Sequence, residues 1–542
     1  MRVDEELYEA FLQEMHTLEN FRMLYASIHP TVPLDRDDPD VKRLIEAMAF
    51  FSARTRLAGA KEVTRLNRRI FRQFFSYLLT PMPAMGILQA KPTGQLAEAA
   101  QLSRGSEIAV TASNGKVALF RTCQDLRILP LEITSVKTVL LPDHGFRLIL
   151  QCCAPYPRND EVGTLSLHLN HLNDYLASLR MLHTIREHFT SGWVFYGEDP
   201  EESSTGESCG VRFGPFPVEE ESANGESPHP LEVERLFFHY PQQELYLHVE
   251  LPKPPRNWKR FSIALDLDAG WPRTILLNRD LFHLFTVPME NLKRSMAQSI
   301  RCDGTLEAYP IRHGQLEHDF SLHSVLGVYE VHKDSMIPLR AGVLSGESGS
   351  YEIEESGDEG VGKRSRLLLH LPEAFDSPRS IAVDGLWLQP WFSEFVLQWR
   401  SVKPYRRQIV GAQWDILGDL RPHEENHFLK DMEGFMHLFT LANKTTLQRE
   451  DLVGLINTLG SVQQGPYQRA CRSLSDVKVE AAPHRGVGMG LMRYVYSLAF
   501  KSSDQSLDGL FETFRSHIGK VLDAWIADAA VEVRVEPNMG EP

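Results

Sequence analysis

The chain is short of features that would assign it to several large classes. Six cysteines in 542 residues (Cys123, Cys152, Cys153, Cys209, Cys302 and Cys471) form no CxxC pair and no regular framework, which fits reduced thiols in a large intracellular protein rather than disulfides. No apolar run reaches the length of a membrane span, and the opening MRVDEELYEAFLQEMH places acids where a signal peptide needs a basic and then an apolar stretch. The expected location is the cytoplasm, without direct membrane insertion. Positive charge is also scarce: the net charge of −15 argues against nonspecific binding to nucleic acid or anionic lipid, so any basic function has to be local. No internal repeat is visible. With 42% hydrophobic and 9% aromatic residues, the chain has the material for three or four folded domains.

The first ninety residues carry helical periods. Phe11, Leu18, Phe21, Tyr25 and Ile28 form a short coiled-coil-like seam on a first helix that ends near Pro30. A second helix is expected from Asp38 and Pro39 through Val41, Leu44, Ile45 and Met48. A third is expected within RLNRRIFRQFFSYLLTPMPAM, before Pro81 and Pro83 stop it. At about 100° per residue, Leu66, Ile70, Phe71, Phe74, Phe75, Tyr77 and Leu78 fall on one arc of roughly half the circumference, with Arg65, Arg68, Arg69 and Arg72 opposite. A single flat core cannot cover so wide an arc, and the arc therefore implies neighbours on two sides.

After Pro83 the period becomes alternating, and SEIAVTASNGKVALFRT predicts two strands about an Asn114-Gly115 turn. A helix is expected from about Asn173 to His188 and a terminal helix carrying Leu510, Phe511, Phe514, Ile518, Val521, Leu522 and Trp525, followed by the strand VEVRV. The fold class is α+β and multidomain. Expected segments are a helical bundle segment over 1–88, a β-rich domain with one helix over 89–196, an acidic Ser/Gly/Pro-rich loop or linker over 197–230, a β-rich middle domain over 231–400 and an α+β domain over 401–542.

Motifs of chemistry are sparse. HEENH, His423 to His427, spells HExxH, in which two histidines one helical turn apart hold zinc and the glutamate acts as general base. The extended form would need glycine and histidine where Lys430 and Glu433 stand, and Pro422 with few apolar neighbours gives no helix face to bury, so a solvated loop is the favoured reading. GVGMG, Gly486 to Gly490, lacks dinucleotide-loop spacing and precedes LMRYVYSLAF, which reads as a strand where a helix is required. LSGESGS lacks the nucleophile-elbow spacing around Ser348, and Asp266 and Asp268 share a strand face but more often such a pair opens a turn. No catalytic residue, metal ligand or cofactor is assigned. The clustered arginines of the third helix suit a solvated face or an acidic protein partner better than nucleic acid.

The stretch LSRGSEIAVTASNGKVALFRTCQDLRILPLEITSVK, Leu102 to Lys137, resembles a signature segment of TssF, the baseplate wedge family of type VI secretion systems. DPDVKRLIEAMAFFSARTRL and FFSYLLTPMPAMGILQ are similar to the N-terminal helices of that family and its Pro-x-Pro crossover, and HPLEVERLFFHYPQQELYLHVEL and LFHLFTVPMENLKRSMAQSIRCDGTLEAYPI with HSVLGVYEV resemble later segments in the same order. Between Met336 and Leu420 the arginine- and tyrosine-rich strand and the Cys-Thr-Asn motif of the family are missing. The resemblance implies a non-enzymatic structural protein that pairs with a second TssF copy and with TssG, in wedges around the VgrG spike linked to TssK, TssE and the sheath. Such a baseplate docks at the inner membrane complex. The rival readings are the wedge protein of another contractile injection particle and a zinc hydrolase. Under the resemblance, Phe11, Leu18, Phe21, Tyr25, Ile28, Arg68, Phe71, Arg72, Phe75 and Leu78 are the expected partner interface.

Overall fold

A computed structural model describes residues 5–29, 39–197, 200, 206–217, 228–315, 319–333, 335–342, 349–357, 363–371, 377–425, 432–459, 465–483, 492–501, 507–526 and 529–536. The chain divides into two compact units, residues 1–76 with 342–346, and the remainder.

The first unit contains two helices, α1 (Glu5–Ile28) and α2 (Pro39–Phe75). The expected second and third helices are one continuous helix of 37 residues. The only breaker between Met48 and Arg65 is Gly59, which costs a helix about 1 kcal/mol, and the surrounding alanines and long side chains carry the helix across it. Pro39 occupies the first helical position, as expected; Pro30 and Asp38 lie outside the described residues.

In the second unit a six-stranded sheet runs in the order Trp399–Pro404, Glu107–Ala112, Val117–Thr122, Thr286–Glu290, Met85–Pro92, Ala412–Arg421. Its strands come from four of the segments expected from composition, because antiparallel partners are chosen by matching buried faces rather than by nearness in sequence. The hairpin at Asn114-Gly115 forms as expected: Gly115 takes φ of 84°, and the Asn114 side chain accepts from the Lys116 amide at 2.9 Å. Gly411, at φ of 85°, precedes the last strand, where a Cβ would lie against the backbone of Leu96.

A second sheet centres on Trp258–Leu267 between Phe189–Tyr196 and Phe146–Arg158, and a third pairs Tyr246–Glu250 with Thr164–Leu169 and with Gly210–Phe213. The last of these strands, like Glu207–Ser208, falls inside the stretch expected to be linker. Phe213 packs on Phe189 and Phe216 on Tyr246, so a short apolar island is enough to fasten an acidic segment to a sheet. Two further sheets cover residues 293–388 and share a core around Ile300, Tyr309, Val328, Leu367, Val383 and Trp387.

The remaining helices are α3 (Tyr175–His188), α4 (Pro230–His239), α5 (Met432–Ala442), α6 (Arg449–Thr458), α7 (Tyr467–Ser473) and α8 (Asp508–Trp525). Asp174 caps α3 by accepting from the amides of Leu176 and Ala177. α8 is the crossover between Met492–Phe500 and Ala529–Val535, which pair in parallel, and it buries Leu510, Phe511, Phe514, Ile518, Val521 and Leu522 on its inner face. MRYVYSLAF, Met492–Phe500, is thus a strand; Gly486 to Gly490 and Leu491 lie outside the described residues.

Candidate partner interface

The two N-terminal helices form an antiparallel hairpin. Ser52 donates to Glu14 at 2.9 Å, Arg56 to Gln13 at 2.9 Å, and Lys61 approaches Glu6 at 3.9 Å, so position rises along α2 as it falls along α1. The buried residues of the seam are small: Ala10, Ala49 and Ala53. Alanines allow close backbone approach, but they bury little area, and the hairpin keeps most of its large apolar residues for other surfaces.

Those residues face outward. On α1, Phe21 is 62% exposed and Ile28 63%, with Leu12 and Met23 also open; on α2, Phe51 is 64% exposed and Phe74 57%, with Leu44 and Leu66 open. Leu12 lies nine residues from Phe21, about 180° around the helix, so α1 is apolar on two opposite sides. A helix of that kind is stable as the inside of a bundle. Soluble monomers rarely expose contiguous apolar patches beyond a few hundred Å², and larger ones mark interaction sites.

Of the seam expected on α1, Phe11 and Leu18 are half-buried, whereas Phe21, Tyr25 and Ile28 are exposed. The wide arc at the end of α2 is split. Phe71 is fully buried, Phe75 and Leu78 are buried, and the Phe71 and Phe75 rings pack at 4.9 Å, while Leu66 and Phe74 stay open. Phe71, Phe75 and Leu78, expected to be interface, therefore already belong to the interior of the isolated chain, because the arc is wide enough to use one edge for the core and leave the other uncovered. Arg68 and Arg72 are half-buried, and both make contacts within the chain, so this side of the helix is not an open basic face.

Past the 3-10 turn at Ser76–Leu78, the chain is held by Arg235 of α4. Its buried guanidinium donates to the Tyr77 carbonyl, to the Thr80 hydroxyl at 3.1 Å and carbonyl at 2.8 Å, and to the Leu459 carbonyl at 3.2 Å. Burial lowers its pKa to about 10, still cationic at neutral pH. Tyr77 stacks flat on His229 at 3.8 Å. Deeper, His517 of α8 bridges Glu234 of α4 through Nδ1 and Glu244 through Nε2 at 2.8 Å, and Tyr467 of α7 donates to Glu244 at 2.7 Å. Burial opposes the imidazolium, but the Glu244 charge and the hydrogen bonds to both carboxylates outweigh it and raise the His517 pKa to about 9. The ring is thus doubly protonated and ties α8 to α4. Nothing local in the sequence marked Arg235 or His517; each meets partners more than 150 residues away.

This framework leaves the chemical motifs without a constellation. Glu424 forms an antiparallel bridge with Met82 through backbone bonds of 2.9 and 3.0 Å, so the backbone there is extended and not the helix that HExxH needs. Its carboxylate pairs with Arg421 at 2.8 Å, and His423 lies 3.2 Å from Glu425; His427 lies outside the described residues. His239, 3.8 Å from Glu424, has its pKa lowered by burial, so that contact is not an ion pair between charged groups. Asp266 is taken by Arg147 at 2.6 Å and Asp268 by His188 at 2.8 Å, which leaves no shared cation site between them. Ser348 lies outside the described residues. Among the described residues no cluster of three or more His, Cys, Asp or Glu is placed to hold a metal ion, and no helix is long and apolar enough to cross a membrane.

Solved structures of type VI secretion assemblies share the fold. A chain of a TssK-TssF-TssG baseplate subcomplex of the type VI secretion system, determined by cryo-electron microscopy, matches with a TM-score of 0.71 at 14% identity, over 93% of this chain and 99% of that one. A chain of the baseplate complex from the type VI secretion system matches with a TM-score of 0.57 at 16% identity, over 96% of this chain and 93% of that one. No curated protein matches the sequence. The family model for type VI secretion system TssF matches residues 3–341, a span that takes in the exposed hairpin, the Asn114-Gly115 strands and the Arg235 clamp. With well over half of its length in that match, the chain belongs to the TssF family of type VI secretion systems.

Proposed function

We propose that the chain is a structural wedge subunit of a type VI secretion baseplate in the cytoplasm, and that it works by assembly rather than catalysis. The observation that carries this reading is the hairpin of α1 and α2, which exposes large apolar side chains on opposite sides while the residues fully buried between its helices are alanines. Each large apolar side chain that becomes fully covered contributes about 1.5–3 kcal/mol, so a few such residues suffice to hold a bundle together. The first partners are TssG and a second copy of the chain, which supply the missing helices; TssK, TssE, the VgrG spike and the sheath follow as further contacts of the completed wedge, with the baseplate docked at the inner membrane complex. HEENH has no part in this role, since Glu424 is held in a bridge and an ion pair.

Co-expression with TssG tests the reading. The lone chain is expected to self-associate or precipitate, and the co-expressed chain to elute as a soluble complex from which Phe21→Ser with Phe51→Ser releases TssG. A monodisperse lone chain that ignores TssG, or a complex unaffected by the double substitution, would refute it.

A further inference from the structure

The two sheets of residues 293–388 enclose a cleft of about 640 Å³. One wall is the strand Ala308–Pro310 and its flanks. Leu306, Ala308, Pro310, Ile311, Arg312 and His313 line the cleft from this side, while Tyr309 enters the core behind. On the paired strand Arg366 stands opposite Pro310 and lines the same space. The floor is apolar and aromatic, with Leu322 and Trp387 buried and Phe320 half-buried.

Charge at the mouth is unbalanced. Several strand arginines of this unit are matched, Arg121 with Glu290, Arg147 with Asp266, Arg294 with Asp384 and Arg379 with Glu330, whereas others such as Arg301 and Arg400 stand in solvent away from the cleft. Arg312 and Arg366 are exposed, and neither forms an ion pair or side-chain hydrogen bond among the described residues. Glu354 is the cross-strand neighbour of Arg366, yet no ion pair joins them. Among the described residues the one acid lining the cleft, Asp319, is engaged by Lys116 at 3.1 Å. In a chain of net charge −15, two unmatched guanidiniums over an apolar floor form a local feature of opposite sign.

We propose that this cleft is a docking site for an extended acidic segment of a partner protein, in which a carboxylate meets Arg312 and Arg366 and an adjacent apolar side chain enters above Phe320 and Leu322. Guanidinium pairs suit a planar carboxylate, and the volume, within the 300–1,000 Å³ of ordinary ligand pockets, leaves room for a short segment's side chains. Nucleic acid is disfavoured because, of the aromatic rings that line the cleft, Trp387 and His313 are buried and Phe320 is half-buried, which leaves a base little to stack on. The inference stands apart from the hairpin and does not rest on the baseplate reading.

The test is fluorescence anisotropy with the full chain and a labelled Glu-Leu-Glu-Leu-Glu peptide. Saturable binding is expected, weakening with added salt, and lost by about tenfold or more in Arg312→Ala with Arg366→Ala or when serine replaces leucine in the probe. Both arginines are exposed, so an unchanged thermal transition confirms that the variant is folded. Absence of saturable binding, equal binding to the double variant, or equal binding of a Lys-Leu-Lys-Leu-Lys probe would overturn the proposal. Displacement of the probe by an equimolar single-stranded oligonucleotide would reassign the arginines to phosphate, and sedimentation showing that they hold two copies together would reassign the cleft to self-association; either result also overturns it. TssG co-purification of the double variant is measured in parallel and is expected to be unchanged.

Discussion

Truncating one ring in the interior of the free chain and one on its surface separates what folds the protein from what assembles it. Phe71 is 0% exposed and Phe51 64%. Phe71→Ala removes a fully packed ring and leaves a cavity, which costs about 3–5 kcal/mol, a large share of the roughly 5–15 kcal/mol that stabilises a typical domain. Phe51→Ala removes a ring that is mostly in water, and the lone chain should change by no more than about 0.5 kcal/mol. If a partner covers Phe51, the same substitution forfeits about 1.5–3 kcal/mol of burial, or about a ten- to 150-fold weaker complex at 1.4 kcal/mol per decade. Urea unfolding of the lone chain, with hydrogen exchange followed across α2, reads the first quantity; an interferometry titration with TssG reads the second. The expected pattern is a low-stability Phe71 variant and a normally stable Phe51 variant that binds poorly. Normal stability with lost TssG binding in Phe71→Ala would show that this ring is interface after all and that the division of the arc drawn here is wrong.

The His517 pKa, raised from 6.5 to about 9, makes stability depend on pH with a defined sign. The contribution is fully present below pH 6.5 and is lost as pH rises through 9, and at 1.4 kcal/mol per unit it amounts to about 3 kcal/mol. Urea midpoints should therefore fall between pH 6.5 and 9.5, and His517→Gln should flatten that fall; an equal slope in both proteins would refute the bridge. Arg235→Met should lower stability by about 1–3 kcal/mol, because buried carbonyls of Thr80 and Leu459 lose their donor; faster amide exchange beyond residue 76 without loss elsewhere is the expected signature, and an unaltered exchange pattern would count against the clamp. Purified protein should carry no stoichiometric zinc by plasma mass spectrometry, and one tightly held zinc lost in His423→Ala would reverse the assignment of HEENH.

Local signals in the sequence were enough to determine local structure. Asn114-Gly115 specifies its turn because the backbone there needs a positive φ, and the spacing of Leu510 to Leu522 marks the buried face of α8. The ordered segments from Leu102 onward carried the family as well, since they are strings of residues rather than arrangements in space. Tertiary structure alone decided which edge of the apolar arc would be covered. Helical period reports that Phe71 and Phe74 are both apolar, but not that one is buried and the other open, because the surface that covers a side chain comes from elsewhere in the chain. The same holds for the six-stranded sheet, whose strands span residues 85 to 421, and for Gly210–Phe213, fastened to a sheet within an acidic stretch that composition marks as linker. It holds for His517, which meets Glu234 across 283 residues of sequence, and for the unmatched pair Arg312 and Arg366. Hydrogen-bond register and charge pairing are properties of distances between segments, and a sequence fixes those distances only through the folded whole.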